Sequence, residues 1–345
     1  MKIAIHHRAG SFSERWIAYC LKREIPFKTV NVFDNDIIQQ MVGCNILMWH
    51  HHHAIFQDTL AAKKILFALE HAGITVFPDF NTAWHFDDKV AQKYLLELVK
   101  APAVPSYVFY DQNAAISWAN QTAYPKIFKL KGGAGASNVR MVNSRNEALR
   151  IIKLAFGRGF SQYDRLAGLK ERFRKYQNRQ EPLTHVLKGV LRLFYTTNFS
   201  RNHPKERGYV YFQEFMPDNN SDLRIIVIKE KAFGVRRLVR ENDFRASGSG
   251  KIEFDKDAID MRAVAVAFQV NEKLDAQSIA FDFINGRDGA PLVVEISYGF
   301  SMLAYDNCPG YWDKNLKWHQ GAFNPQEWMI ESILSEQNVV EKKNS

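Results

Sequence analysis

Residues 125–139, PKIFKLKGGAGASNV, place a short β-branched and aromatic run ending on Lys129 directly before a loop built on Gly132, Gly133 and Gly135. A strand that delivers a lysine into such a loop restricts the fold more than any other feature of the chain. Glycine lets backbone N–H groups crowd an anion with no Cβ in the way, and a lysine at a strand end adds a charge that pairs with phosphate oxygens. Taken alone, a loop of this composition also serves as a plain turn, so its meaning depends on the segments downstream of it.

Three later segments supply that context. In residues 209–228, YVYFQEFMPDNNSDLRIIVI, one strand ends on Gln213, Glu214 and Phe215, and a polar loop leads to Asp222, Leu223 and Arg224 on the next. Residues 234–250 form a hairpin-like run carrying Arg236, Arg237, Arg240 and Arg245 ahead of Ser247-Gly248-Ser249-Gly250. Asp282 and Glu295 sit on two β-rich runs joined by the turn-forming residues Asn285-Gly286-Arg287-Asp288-Gly289. Two carboxylates facing each other across a hairpin suit Mg²⁺, a hard cation that keeps waters and uses one or two carboxylates together with substrate phosphates.

In this order the four segments resemble the ATP-grasp superfamily, whose members include glutathione synthetase, D-alanine:D-alanine ligase and the ligases that add glutamate to protein tails. The resemblance covers residues 75–305 and includes an entry segment at Asn81, Asp88 and Lys89. It implies an α/β ATP-grasp fold: an N-terminal parallel α/β domain over residues 1–80, then two α+β sub-domains gripping ATP, 81–212 and 213–335, and a polar tail over 336–345. It also implies that Lys89 and Lys129 hold ATP phosphates while the loop from Gly132 through Gly133 and Gly135 to Ser137 closes over them. Gln213, Glu214 and the backbone at Phe215 would lie at the adenine edge, with Asp222 toward the ribose. Asp282, Glu295 and Ser297 would bind Mg²⁺, Ser297 offering a hydroxyl where the family usually has an asparagine amide. Arg237 and Arg245 match positions that meet the transferring phosphate or the acceptor carboxylate, with Arg224, Ser247 and Gly248 on the substrate side. Ala136 and Asn138 stand where glycines are common in the family's loop.

The implied chemistry suits these residue types. Joining a carboxylate to an amine in water is uphill; the ligases that the chain resembles transfer the γ-phosphoryl of ATP to the carboxylate and let an amine attack the acylphosphate. Such transfer asks for positioning and charge neutralisation, which lysines, planar arginine forks and Mg²⁺ supply.

With 345 residues, 46% of them hydrophobic, the chain has material for more than one packed core. Three cysteines, Cys20, Cys44 and Cys308, without CxxC spacing, fit a reducing compartment better than a disulfide frame or a zinc site. With no run of 18 apolar residues, the expectation is a cytoplasmic protein. Residues 1–80 alternate strands and helices, which predicts a parallel sheet whose ligands gather beyond the strands' carboxyl ends. Two such places carry histidine: His6-His7-Arg8, and His50-His51-His52-His53. His7, Arg8, His51 and His52 are candidates for substrate contacts; a metal site and a structural loop are the alternatives for the histidine run.

Residues 158–207 read as a basic insertion, with twelve Lys/Arg against four Asp/Glu in a chain of formal net charge +9. Within it Val186, Leu187, Val190, Leu191 and Phe194 recur at helical spacing among His185, Lys188 and Arg192, the pattern of a helix lying on anionic lipid or packing on its own domain. The insertion therefore admits peripheral contact with the inner membrane face, whereas nucleic acid lacks the aromatic-interleaved signature it would need. Tyr298, Tyr305, Tyr311, Trp312, Trp318 and Trp328 crowd the last part of the chain, to stack on sugars, bury a lid or fill the core. This tail resembles those of ATP-grasp proteins of bacterial surface-polysaccharide synthesis, which implies a uronic acid as the favoured carboxylate. The alternatives are an amino-acid or peptide ligase of the glutamate-adding type and a non-catalytic nucleotide-binding scaffold; a homo-oligomer is compatible with each.

Overall fold

The computed structural model describes residues 1–132, 138–161, 205–239 and 250–344, together with residues 173, 176, 182, 184 and 185. The chain divides into two compact units, Met1–Phe86 with Tyr94–Ala103 and Asp218–Ser345, and Asp87–Lys93 with Val104–Pro217.

The first unit begins with β1 (Ile3–His6), α1 (Phe12–Lys22), β2 (Phe27–Val30), α2 (Ile37–Gln40), β3 (Ile46–Met48), α3 (Phe56–His71), β4 (Thr75–Phe77) and α4 (Phe80–Ala83). The four strands pair in parallel in the order β2-β1-β3-β4, as the alternation of strands and helices predicts. Every residue of β1 and β3 is buried, because a parallel sheet is covered on both faces. Ala4 and Leu47 pack with Ala62, Leu66 and Leu69 of α3, whereas Ile3 and Ile5 pack with Phe12 and Trp16 of α1. Helix α1 starts where it does because Ser11 caps it and Glu14 Oε1 accepts from the Gly10 N–H at 3.1 Å.

After α5 (Lys89–Leu98), the second unit holds β5 (Ser106–Phe109), α6 (Gln112–Gln121), β6 (Lys126–Lys129), β7 (Val139–Val142), α7 (Arg145–Phe156) and β8 (Val210–Glu214). These strands form an antiparallel sheet, β5-β8-β6-β7. Alanines and Ile152 of α6 and α7 cover one face, against Phe128, Val142, Val210 and Phe212. Phe160 and Glu206 exchange backbone hydrogen bonds of 2.9 Å in each direction, joining the two ends of the segment read as an insertion. The basic helix expected at Val186–Phe194 lies outside the described residues, and among those described no helix is long and apolar enough to cross a membrane.

The first unit continues with β9 (Ser221–Ile228), β10 (Lys231–Leu238), β11 (Ile252–Glu253), α8 (Met261–Leu274), β12 (Ile279–Asn285), β13 (Pro291–Ser297), β14 (Gly310–Asp313), β15 (Trp318–Gln320) and α9 (Pro325–Asn344). The sheet order is β13-β12-β9-β10-β14-β15, with β11 on β10. One face, with Ile225, Val227, Phe281 and Phe283, packs on Ala263, Val264, Ala267 and Val270 of α8. On the other, Ile226, Ile228, Phe233, Val235 and Ala280 share a core with Ile3, Ile5 and Trp16 and with Met329, Ile330 and Ile333 of α9. The sequence pattern separates residues 1–80 from 213–335; in the fold the two stretches bury one another's apolar faces in a single unit. Residues 336–344, expected as a polar tail, are turns of α9, and Thr75 Oγ1 donates to the buried Gln337 at 2.5 Å.

Candidate active site

In the first unit the sheet face that packs on β1 and α1 changes character along its strands. On β9 it runs from Ile228 and Ile226, both buried among apolar side chains, to Arg224 and Asp222. Strand pairing extends the polar end sideways, with Arg224 opposite Asp282, Asp282 opposite Glu295, and Asp222 opposite Arg237. Side chains two apart share a face, so Ser297 joins Glu295 there. Strict alternation along β13 would put Val293 on this polar face too. The ladder instead shifts between Asp282 and Phe283, where Phe283 pairs with Val293, and this bulge keeps Val293 and Ile296 under α8 while Glu295 points the other way.

Four of these charges satisfy one another. Arg224 donates through Nε and Nη2 to the two oxygens of Asp282 at 2.6 and 2.7 Å, and Arg237 donates in the same forked manner to Asp222, again at 2.6 and 2.7 Å. Arg237 Nη2 also lies 3.0 Å from Asp282 Oδ1. Burial alone would raise the pKa of Asp282, but two guanidiniums outweigh it and hold that carboxyl far below the carboxylate range. Asp222 has one guanidinium against the same burial, and its pKa rises. The donor set suits Mg²⁺: Asp282 and Glu295 are cross-strand carboxylates with the Ser297 hydroxyl on the same face, and three of the roughly four acceptor positions of the Asp282 carboxylate are taken. Among the described residues no group of three or more His, Cys, Asp and Glu could hold a metal ion.

Also in the first unit, the carboxyl ends of β1 and β3 bring together the other sequence candidates. Arg8 donates to Asp58 at 2.8 Å and to the His50 carbonyl at 3.2 Å, and the fully buried Asp58 accepts from the His52 N–H at 2.6 Å. His7 Nδ1 meets Ser13 Oγ at 3.1 Å. The four histidines diverge. The His51 ring is enclosed by Tyr298, Phe86 and Trp49, its Nε2 has no partner, and burial first, then Lys63, His52 and Arg8, lower its pKa to about 3. The ring packs among aromatic side chains; Tyr298, which directly follows Ser297, donates its hydroxyl hydrogen bond to the His51 carbonyl. His52 is less enclosed, and burial, His53 and Arg8 lower its pKa to about 4. The aromatic tail is mostly core, since Tyr298, Tyr305, Trp312 and Trp328 are all buried.

In the second unit Asp88 caps α5, its carboxylate accepting from the N–H groups of Val90 and Ala91 at 3.1 and 3.0 Å, and the Lys89 N–H donates to the Lys131 carbonyl at 2.9 Å. That bond ties the start of α5 to the end of β6, so Lys89 and Lys129, both buried, stand at neighbouring element ends. The pleat sorts the remaining candidates. Ile127, Lys129, Tyr211 and Gln213 face away from α6 and α7, and Gln213 Nε2 donates to Ser106 Oγ at 3.0 Å. Glu214 lies on the opposite face from Lys129 and accepts from Lys126 Nζ at 2.5 Å and from the Tyr107 hydroxyl at 3.0 Å. Lys126 does not stand out in the sequence, although it is as enclosed as Lys129. Asn138 Nδ2 donates to the Gly132 carbonyl at 3.5 Å across the base of the glycine loop. Gly133, Gly135, Ser137, Arg245, Ser247 and Gly248 lie outside the described residues.

No protein-family model matches the chain. Over 232 residues it is 23% identical to the alpha-aminoadipate–LysW ligase LysX of Saccharolobus solfataricus, spanning 67% of this chain and 68% of that protein. A RimK domain ATP-grasp protein from Sphaerobacter thermophilus superposes with a TM-score of 0.54 at 15% identity, over 97% of this chain and all of that one. The chain has an ATP-grasp fold. The D-alanine–D-alanine ligase of Bacillus anthracis, solved with ATP, shares it with a TM-score of 0.55 at 10% identity, over 100% of this chain and 99% of that one.

Proposed function

We propose that the protein is an ATP-dependent, ADP-forming carboxylate–amine ligase. The observation that carries this reading is the row Glu295–Asp282–Arg224 with Arg237 and Asp222 beside it: oxygen ligands and forked cations on one sheet face, at the end of a strand that the fold otherwise buries in apolar side chains. Asp282, Glu295 and the Ser297 hydroxyl would hold Mg²⁺, which when bound offsets the charge of the ATP phosphates. Arg224 and Arg237, their Nε–Nη2 forks held by Asp282 and Asp222, would meet the transferring phosphoryl group and the acid's carboxylate through their Nη1 groups. In the second unit Lys89 and Lys129 bind ATP phosphates, and Gln213 with the backbone at Phe215 meets the adenine edge. The reacting oxygen of the acid attacks the γ-phosphorus, ADP leaves, and an amine then displaces phosphate from the acylphosphate to form the amide.

Of the two acids suggested by the sequence, an amino acid or peptide is the better supported. The relative LysX is named for an α-aminoadipate ligation, and the tail aromatics invoked for a hexuronate are largely buried and offer little stacking surface. The purified protein, given ATP, Mg²⁺ and mixed pools of acids and amines, should release ADP and phosphate, with Lys129→Ala and Glu295→Ala each lowering release about 10²-fold or more. Tight ATP binding with no release in any pool would favour the non-catalytic scaffold instead.

A further inference from the structure

His50, which the sequence does not single out within the histidine run, is buried at 7% exposure, and its ring, like that of His52 at Ala54, is tied through Nδ1 to a backbone N–H. Its Nδ1 lies 3.2 Å from the backbone nitrogen of Phe12. A backbone N–H can only donate, so Nδ1 carries a lone pair and the ring proton of neutral His50 is on Nε2. The ring is stacked on Phe12 with centroids 3.7 Å apart and planes 4° from parallel, which fixes the direction of that N–H. Burial, aided by His52, Arg8 and His51, keeps the ring neutral.

The surroundings of Nε2 are equally specific. It is not among the enclosed polar atoms that lack a partner, as His51 Nε2 is, and the hydrogen bonds of His50 run through its Nδ1 and its carbonyl. A Cβ placed on Gly299 would meet nothing nearer than His50 Nε2 at 3.7 Å and the Phe86 ring at 3.9 Å, so a methyl-sized space adjoins the donor. Gly299 comes two residues after Ser297, and its carbonyl accepts from the Ser297 hydroxyl at 2.9 Å. Arg8, anchored by Asp58 and by the His50 carbonyl, still has unused guanidinium N–H groups, and its side chain is 29% exposed.

We propose that His50 Nε2–H and Arg8 together bind the carboxylate of the acid substrate beside Gly299. The inference rests on the ligase reading for its purpose and on the geometry of the histidine run for its substance. Asp58 balances the charge of Arg8, and His50 is neutral, so the pair orients a carboxylate without the full Coulombic grip that would blunt its oxygen as a nucleophile. A fixed donor also reduces the ordering cost of binding.

The test monitors the histidine ring nitrogens of the full-length protein by ¹⁵N NMR during titration with glucuronate and with glutamate, NaCl serving as the ionic-strength control. The expected result is that either acid shifts the His50 Nε2 signal while the Nδ1-acceptor tautomer persists, whereas chloride does not. His50→Leu should weaken the acid about 10-fold or more, as befits loss of one hydrogen bond to a charged group, and His50→Gln, which keeps a donor near Nε2, should recover most of it. Gly299→Ala, which fills the space at ordinary contact distance and leaves the Phe12 bond intact, should weaken the acid with an unchanged melting temperature. An equal response to chloride, no response to either acid, or a Gln variant no better than Leu would overturn the proposal. MgATP binding, measured on the same samples, separates the two readings: its retention with a silent His50 sinks this inference alone, and its absence sinks the ligase.

Discussion

The first unit holds its buried cations differently from the second. Arg224 and Arg237 meet Asp282 and Asp222 through planar forks, each with two bonds of 2.6–2.7 Å, so four charges form a closed set. In the second unit Lys126 reaches Glu214 with a single ammonium, and that carboxylate is shared with the Tyr107 hydroxyl. A fork fixes orientation as well as distance, whereas an ammonium is a point charge on a flexible stem. The difference teaches that the arginine set fixes the direction in which its remaining N–H groups and the last open position on Asp282 point, while the lysine–carboxylate pair fixes a distance alone.

The sharpest way to break this contrast is Arg237→Ala, which strands Asp222 and deprives Asp282 of a donor in a buried setting. Urea unfolding should show a loss of about 3–5 kcal/mol. Lys126→Met should cost less, about 1–3 kcal/mol, because the partly exposed Glu214 keeps its bond to Tyr107. Equal losses would mean that fork and point charge are energetically alike here.

Part of this was legible in the sequence. Alternating β and α signals gave the parallel sheet, and the turn at Asn285–Gly289 put Asp282 opposite Glu295. Other parts were hidden because they depend on strand partners that one segment does not disclose. Lys126 and Lys129 are three apart and so face opposite ways, yet only the pairing of Lys126 with Glu214 shows which lysine that carboxylate serves. The bulge at β13 leaves no compositional mark. Among four consecutive histidines, the choice of His51 as packing and His50 as donor is made by Tyr298 and by the Phe12 N–H, distant in sequence.

A smaller effect compares these ionic sets with the neutral histidines. His51 has a folded pKa of about 3 against an ordinary value of 6.5, so between those pH values the unfolded chain binds the extra proton. Stability should therefore be flat above about pH 7 and decline as the pH falls from 6.5 toward 3. His51→Phe, which also removes the unpartnered Nε2, should flatten that decline, the gap in melting temperature from the parent widening between pH 7 and pH 5. A constant gap would show that the ring titrates normally. The least effect belongs to the exposed pair Lys314–Glu230: Glu230→Gln should leave the melting curve where it was.

The passage of β9 from Ile226 to Arg224 also bears on how the molecule avoids misassembly. A neighbour docked one position out of line would drive Arg224 and Asp222 into the layer beneath α8, between Val264 and Phe281, and lift Ile225 and Leu223 out of it. Such an arrangement is too costly to persist. The same charged side chains thus set the register in which β9 can pair with its neighbours.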